Sequence, residues 1–324
     1  MHHLLLCLAL LQPPPKVDAM KPLTALPAKD AWKRLPRETP PLPVWARILA
    51  GPQPKTTAGV LALDYLHRAK NPLGNESAAK VRWAVADQMK CEYAKAYAEA
   101  DLERLTTPAE VESLRKGELG GTEVLVLKFA RKLTEEGYRI TDAEAATLLA
   151  RLGAEKMTAL VHTVAFANFH NRILIGIGAD LDAEDGGPFP PVELKYNPQT
   201  PALEDAPKRP TWDAVLKVTP PVDYAAPAEW KEVTFEELEK ALAGQKVRKP
   251  RIPLPTKERL AALPPDARRQ TDTISWMAVS SGYQPEMTLA WFAAFRSFQQ
   301  EGRTEGVFSS SLFWIVTRSN DCFY

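Results

Sequence analysis

Cysteine is scarce in this chain. Three thiols in 324 residues, at Cys7, Cys91 and Cys322, cannot make a disulfide framework. The five histidines form neither an H-E-x-x-H pair nor a Cys/His cluster with zinc spacing, so no metal is expected. No glycine-rich phosphate loop or nucleophile elbow is present, and no cofactor is implied. An excess of either charge is also missing. With 41 basic and 40 acidic residues the net charge is +1, which gives no electrostatic reason to expect a nucleic acid. Long apolar runs are lacking too. The run from Leu4 to Leu11 has eight residues, where crossing a bilayer takes about 20, so no integral membrane segment is expected.

Residues 1–20 read in two ways. They are a candidate signal peptide, which would send the protein to the periplasm or outside the cell, although His2 and His3 stand where charge is usual and no A-x-A site follows. Alternatively the start is mis-assigned, Met20 is the first residue and the protein is cytoplasmic.

What the chain has in excess is proline. Of 29 prolines, 11 fall in residues 1–55 and 13 in 185–255, while 56–184 holds only Pro72 and Pro108. Proline breaks helices and ladders alike, so the sequence divides into a proline-rich N-terminal arm (21–56), a helical block (57–184), a proline-rich linker with one short helix (185–255) and a second helical stretch (256–324). The first block reads as all-α. "ESAAKVRWAVADQMKCEYAKAYAEADLERL" has no Gly or Pro and is rich in Ala, Lys and Glu, as a long continuous helix should be. "TPAE" at 107–110 and "TDAE" at 141–144 are capping boxes, and Gly137 ends the helix between them. A further helix from about Ala154 to Gly176 carries the stripe Met157, Leu160, Val161, Val164, Asn168, Asn171, Ile175. Its two amides stand where apolar residues belong, and buried amides need hydrogen-bond partners. In the linker, "TFEELEKALAG" is a short helix capped by Thr234 with Glu237 and stopped by Gly244. Helical character returns at "TKERLAAL" and again from Glu286.

The chain also resembles itself. Setting Cys322 over Cys91 aligns "VRWAVADQMKCEY" (81–93) with "LFWIVTRSNDCFY" (312–324), matching Trp83 with Trp314, Val85 with Val316 and Tyr93 with Tyr324. Upstream, 58–69 and 286–298 are comparable helix-like stretches at nearly the same offset. The second stretch therefore reads as the start of a second copy that this sequence does not complete.

The pattern W-x-V-x5-C-x-Y, the helix "LKFARKLTEEGYRITDAE" and the segment "LVHTVAFANFHNRILIGIGADLD" resemble the carboxymuconolactone decarboxylase and alkylhydroperoxidase-D-like superfamily. The resemblance covers about 57–184 and then 286–324, and is most specific at "F-x-N-x-x-N-R", which holds Asn168, Asn171 and Arg172. It implies an all-helical bundle, homo-oligomers and, in the peroxidase branch, a C-x-x-C pair with a glutamate twelve residues before it and a histidine four after. Cys91 takes the first cysteine position, but the second falls on Ala94, the histidine on Ala98 and the glutamate on Ala79, with Glu76 one turn earlier. Cys322 takes the first position in the second stretch, where the glutamate position is Ser310. The implied activity is that of a thiol-dependent antioxidant reductase or peroxidase, served by a thiol reductant partner.

A reactive thiol must ionise, and the first turn of a helix lowers its pKa. Ser319, Asn320 or Asp321 can cap a helix just before Cys322, whereas "DQMKC" offers no break, which places Cys91 inside a continuous helix as a degenerate, inert thiol. Glu76 and Glu92 are candidate proton carriers beside Cys91, with a solvated face as the alternative. His170 is a candidate catalytic group, with core packing as the alternative. Two other functions stay open: decarboxylation or isomerisation of a small lactone acid by proton transfer, and a helical assembly module without catalysis.

Overall fold

In the computed structural model residues 23–35, 41–181, 186–194, 234–247, 249–268, 274–302 and 306–319 are described. They form α-helices and one 3-10 turn with no β-strand among them, so the all-α expectation holds. The proline-rich N-terminal arm is itself partly helical. It contains α1 (Ala28–Trp32) and α2 (Val44–Leu49), and α3 (Pro54–Ala69) follows at once. Pro27 and Pro43 occupy the N-caps of α1 and α2 and Pro54 opens α3, so three prolines start helices where a proline costs no internal hydrogen bond.

The central helix is α4 (Asn75–Met89), flanked by α5 (Glu92–Leu105), α7 (Gly121–Glu136) and α8 (Asp142–Ile177). Small residues such as Ala79 and Ala84 let its neighbours approach, and Val81, Val85, Leu102, Leu127 and Leu160 fill the space between. Each such side chain contributes roughly 1.5–3 kcal/mol when fully buried. The expected capping boxes form at Thr107–Glu110, which opens α6 (Pro108–Lys116), and at Thr141–Glu144, which opens α8. Gly153, at φ 72° and ψ 168°, kinks α8, so the helix that carries the amides starts after it. A second core gathers Trp32 and Trp45 from α1 and α2 with Val60 and Leu61 of α3, Tyr93 and Tyr97 of α5, and Leu174 of α8. The linker returns to this core, where Val192 and Leu194 are buried.

Two expectations fail. The long helix over 76–105 is broken, because Lys90 is left-handed (φ 57°, ψ 37°) and ends α4. Cys91 then stands at the N-cap of α5 rather than inside a continuous helix. No glycine or proline signals this break; Lys90 accepts a backbone conformation that side chains resist. In the linker α9 (Phe235–Val247) is capped by Thr234 and Glu237 as expected, but it runs through Gly244, since one glycine weakens a helix by only about 1 kcal/mol.

The remaining described helices are α10 (Lys257–Ala261), α11 (Pro265–Arg268), α12 (Ser275–Tyr283), α13 (Pro285–Gly302) and α14 (Gly306–Ser319). The offset between Cys91 and Cys322, 231 residues, also relates α12 to α2, α13 to α3 and α14 to α4 without a gap. It pairs Trp45 with Trp276, Gly51 with Gly282, Gln53-Pro54 with Gln284-Pro285, and Thr57 with Thr288. The geometry of these two corners agrees closely. Gln53 has φ −143° and ψ 64°; Gln284 has φ −135° and ψ 60°. Thr57 Oγ1 donates to the Gln53 carbonyl at 2.7 Å, and Thr288 Oγ1 donates to the Gln284 carbonyl at 2.7 Å.

Helices α3 and α13 pack antiparallel. Gly59 lies so close to Ala294 that a Cβ on it would sit 2.7 Å from the Ala294 Cα. The offset turns this pair into Ala290 and Leu63, and those two residues lie in the same apolar cluster with Ala294 and Phe166. Each helix thus meets the other through the same two positions. The seam is closed at one end by Glu301, whose carboxylate accepts from the N–H groups of Lys55 and Thr56 at 2.9 and 2.8 Å, at the start of α3.

Candidate functional site

The apolar run "VLALDYLHRA" of α3 carries Asp64, His67 and Arg68 into the protein, and all three are buried. Arg68 donates to Asp64 at 3.0 Å, to both carboxylate oxygens of Asp101 at 2.7 and 2.9 Å, and to the Phe189 carbonyl at 2.7 Å. Arg82 of α4 and Arg104 of α5 also donate to Asp101, at 2.7 and 2.6 Å. Burial opposes the charge on Arg68, but Asp64 and Asp101 outweigh it and raise the guanidinium pKa. Burial likewise opposes the Asp101 carboxylate, and Arg82, Arg68 and Arg104 overcome it, so its pKa falls well below the usual range.

Beside this network is a small cavity of about 20 Å³, lined by Trp45 of α2, Asp64 and Arg68 of α3, Arg82 of α4, Tyr93, Ala94 and Tyr97 of α5, and Phe166, His170 and Asn171 of α8. It has room for about one water molecule. His170 Nε2 is sealed from solvent, without a hydrogen-bond partner, and Arg82 Nε shares that condition. The His170 ring meets Trp45 edge-on at 4.8 Å, and Phe166 lies stacked between it and His67, at 5.5 and 4.4 Å. Burial lowers the pKa of His170 to about 4 and takes His67 well below its ordinary value. Both imidazoles are therefore neutral at pH 7.

Cys91 lies next to this cavity. Its Sγ is 4.0 Å from the carbonyl of Asn171, and the side chain is buried. Burial pushes the thiol pKa up; the Ala94 N–H pulls the other way, and Glu92 adds to the rise. Although Cys91 leads a helix, desolvation outweighs the helix N-terminus and keeps the sulfur protonated at pH 7.

The amides tie α8 to its neighbours. Asn168 Nδ2 donates to Thr134 Oγ1 of α7 at 2.9 Å, and Asn171 Nδ2 faces Met89 Sδ of α4 at 3.7 Å. Arg172 folds back on Asn168 at 3.0 Å. Trp83 donates from its indole to Glu99 at 2.8 Å, and Tyr93 stacks on Tyr97 at 4.7 Å. The structure does not bring Glu76 to Cys91. Glu76 stands in the first turn of α4, where it pairs with Lys80 at 2.7 Å, and the helix between Glu76 and Met89 is about 20 Å long. Glu92 is exposed. Trp314 is exposed on α14, while Cys322 and Tyr324 lie outside the described residues. The cavity gathers Asn171, Tyr93 and His170 from the sequence expectations, but Asp64, Arg68, Arg82, Asp101 and Trp45 were missed. Asp64 and Arg68, four apart in an apolar run, are the signal that pointed to them.

Among the described residues no three His, Cys, Asp or Glu side chains are grouped as metal ligands, and no helix is long and apolar enough to cross a membrane. Comparison with protein-family models, curated proteins and solved structures found no match.

Proposed function

We propose that the protein is a thiol-dependent, peroxidase-like oxidoreductase of the carboxymuconolactone decarboxylase-like type, built from two copies of one helical unit. Its first unit has lost thiol chemistry, and its reactive sulfur is that of Cys322. The observation that carries this reading is the matched pair of corners at Gln53-Pro54 and Gln284-Pro285. With those corners in register, Cys322 is the sequence counterpart of Cys91, which caps α5 in the first unit. Ser319, one of the expected caps, ends α14, while Asn320, Asp321 and Cys322 lie outside the described residues. Cys91 is silenced by burial and has alanine at the partner position, Ala94.

In this scheme the Cys322 thiolate attacks the terminal oxygen of a peroxide. An S–O bond forms, the O–O bond breaks, and the alkoxide or hydroxide leaves and takes a proton. A thiol of a dithiol reductant then displaces water from the sulfenic acid, and its second thiol releases Cys322 while the reductant becomes a disulfide. Homo-oligomeric assembly and a thiol reductant partner belong to the same proposal. Peroxide consumption with a dithiol tests it: Cys91→Ser should retain turnover and Cys322→Ser should abolish it. Turnover that persists in Cys322→Ser would refute the proposal.

A further inference from the structure

The offset of 231 residues joins positions of opposite burial. Trp45 is 1% exposed and its counterpart Trp276 48%; Trp83 is 4% exposed and Trp314 58%. On α13, Phe295 and Phe298 are exposed, and so is Trp291, although its ring meets Phe169 of α8 edge-on at 5.3 Å. Their counterparts Val60, Asp64 and His67 are buried. Phe313, also exposed, corresponds to the buried Arg82.

What covers the first set is known in detail. Phe166 of α8 stacks on His67, and His170 of α8 meets Trp45. Lys95 of α5 and Arg131 of α7 lie over the Trp83 ring at 5.2 and 5.7 Å, and Glu99 of α5 accepts from its indole. The cover is therefore α5, α7 and α8. We infer that the exposed face of α12, α13 and α14 is the inner wall of a second bundle, and that its occupant is a helical segment built like residues 92–177. This rests on the two-unit reading above.

The chemistry of the wall specifies the occupant further. Asp64, Arg68 and Arg82 correspond to Phe295, Gln299 and Phe313. An acid in place of Asp101 would be buried without Arg68 and Arg82, the two buried arginines of the three that hold it in the first unit, at a heavy cost. The occupant accordingly carries an apolar residue there, with a basic side chain over the exposed Trp314 ring.

The whole chain is tested with the dye ANS, amide exchange and sedimentation, alone and after extension behind Tyr324 by a copy of residues 94–194 carrying Asp101→Leu. Starting the copy at Ala94 keeps the register. The unextended chain should bind ANS whatever its oligomeric state; the extension should lower that binding several-fold and slow exchange across 276–316 by roughly tenfold or more. Trp276→Asp with Phe313→Asp in the unextended chain should lower ANS binding without lowering the melting temperature. Unchanged dye binding and exchange after extension would overturn the inference, as would substitutions that leave dye binding intact. Protection of 276–316 in a self-associated chain, or only on phosphatidylcholine vesicles, would assign the face to a second copy or to lipid and overturn it too. None of these readings uses a thiol, so they fail or hold independently of Cys322 chemistry.

Discussion

The carboxylate of Glu301, in the last turn of α13, accepts from the backbone N–H of Thr56 at 2.8 Å and from its hydroxyl at 2.7 Å. A residue 245 positions away thus caps the start of α3, and the partner is nearly as buried as the cap it makes. Side-chain charge satisfies free N–H groups where the helix macrodipole is positive. Glu301→Gln should lower stability by about 1–2 kcal/mol and Glu301→Ala by about 2–3 kcal/mol, because the alanine leaves buried donors unpaired. Urea unfolding measures both.

The seam should tolerate no side chain at Gly59. A Cβ there would meet the backbone of Ala294 as well as its methyl group. Gly59→Val should cost at least about 1–3 kcal/mol, as overpacking does. Because the Ala294 Cα is the nearest atom, Ala294→Gly should restore only part of the loss in the double mutant.

Removing Asp101 should be worse than removing its partners together. Asp101→Asn leaves Arg68 and Arg82 buried beside a neutral group, which should destabilise by about 3–5 kcal/mol. The fourfold change Asp64→Phe, Arg68→Gln, Arg82→Phe and Asp101→Leu, which leaves no buried charge of this network unpaired and copies the residue types of Phe295, Gln299 and Phe313, should recover much of that loss. Thermal unfolding of the two variants checks the order.

Acid should weaken the fold before its carboxylates titrate. Burial holds His162 and His170 at a pKa of about 4, against an ordinary 6.5. Above pH 6.5 both are neutral folded or unfolded, so stability is complete. Between pH 6.5 and 4 the unfolded chain binds protons that the folded chain refuses, and stability falls by up to roughly 1.4 kcal/mol per pH unit for each ring. His162→Gln should flatten that slope in urea titrations run at several pH values, and His162 is the ring to change because it pairs with Ser280 outside the cavity.

The sequence revealed the helices wherever chemistry repeats. Thr107, Thr141 and Thr234 announce their caps through residues three positions on, and the amides Asn168 and Asn171 announce a helix tied to its neighbours, although Ile175, placed in the same stripe, is exposed. It concealed what depends on tertiary surroundings. The left-handed Lys90 is exposed and is held by backbone hydrogen bonds, from its own N–H to Asp87 and from the Cys91 N–H to Ala86, rather than by any turn residue, so the break before Cys91 left no local trace. The prolines of the N-terminal arm read as helix breakers, yet Pro43 caps a helix whose Trp45 is among the most buried side chains. The cavity was harder still, because Arg82 and Asp101 come together only when α4 and α5 pack, 19 residues apart.

The central claim is that one unit has a silent sulfur and the other a reactive one. Iodoacetamide alkylation of the whole chain against pH, with each cysteine followed by mass spectrometry, tests it most directly. Cys322 should alkylate with an apparent pKa well below the free thiol's value of about 8.5, while Cys91, whose thiol burial pushes up, should stay unmodified through pH 8. Alkylation of Cys91 at neutral pH, or a Cys322 that ionises like a free thiol, would contradict the account.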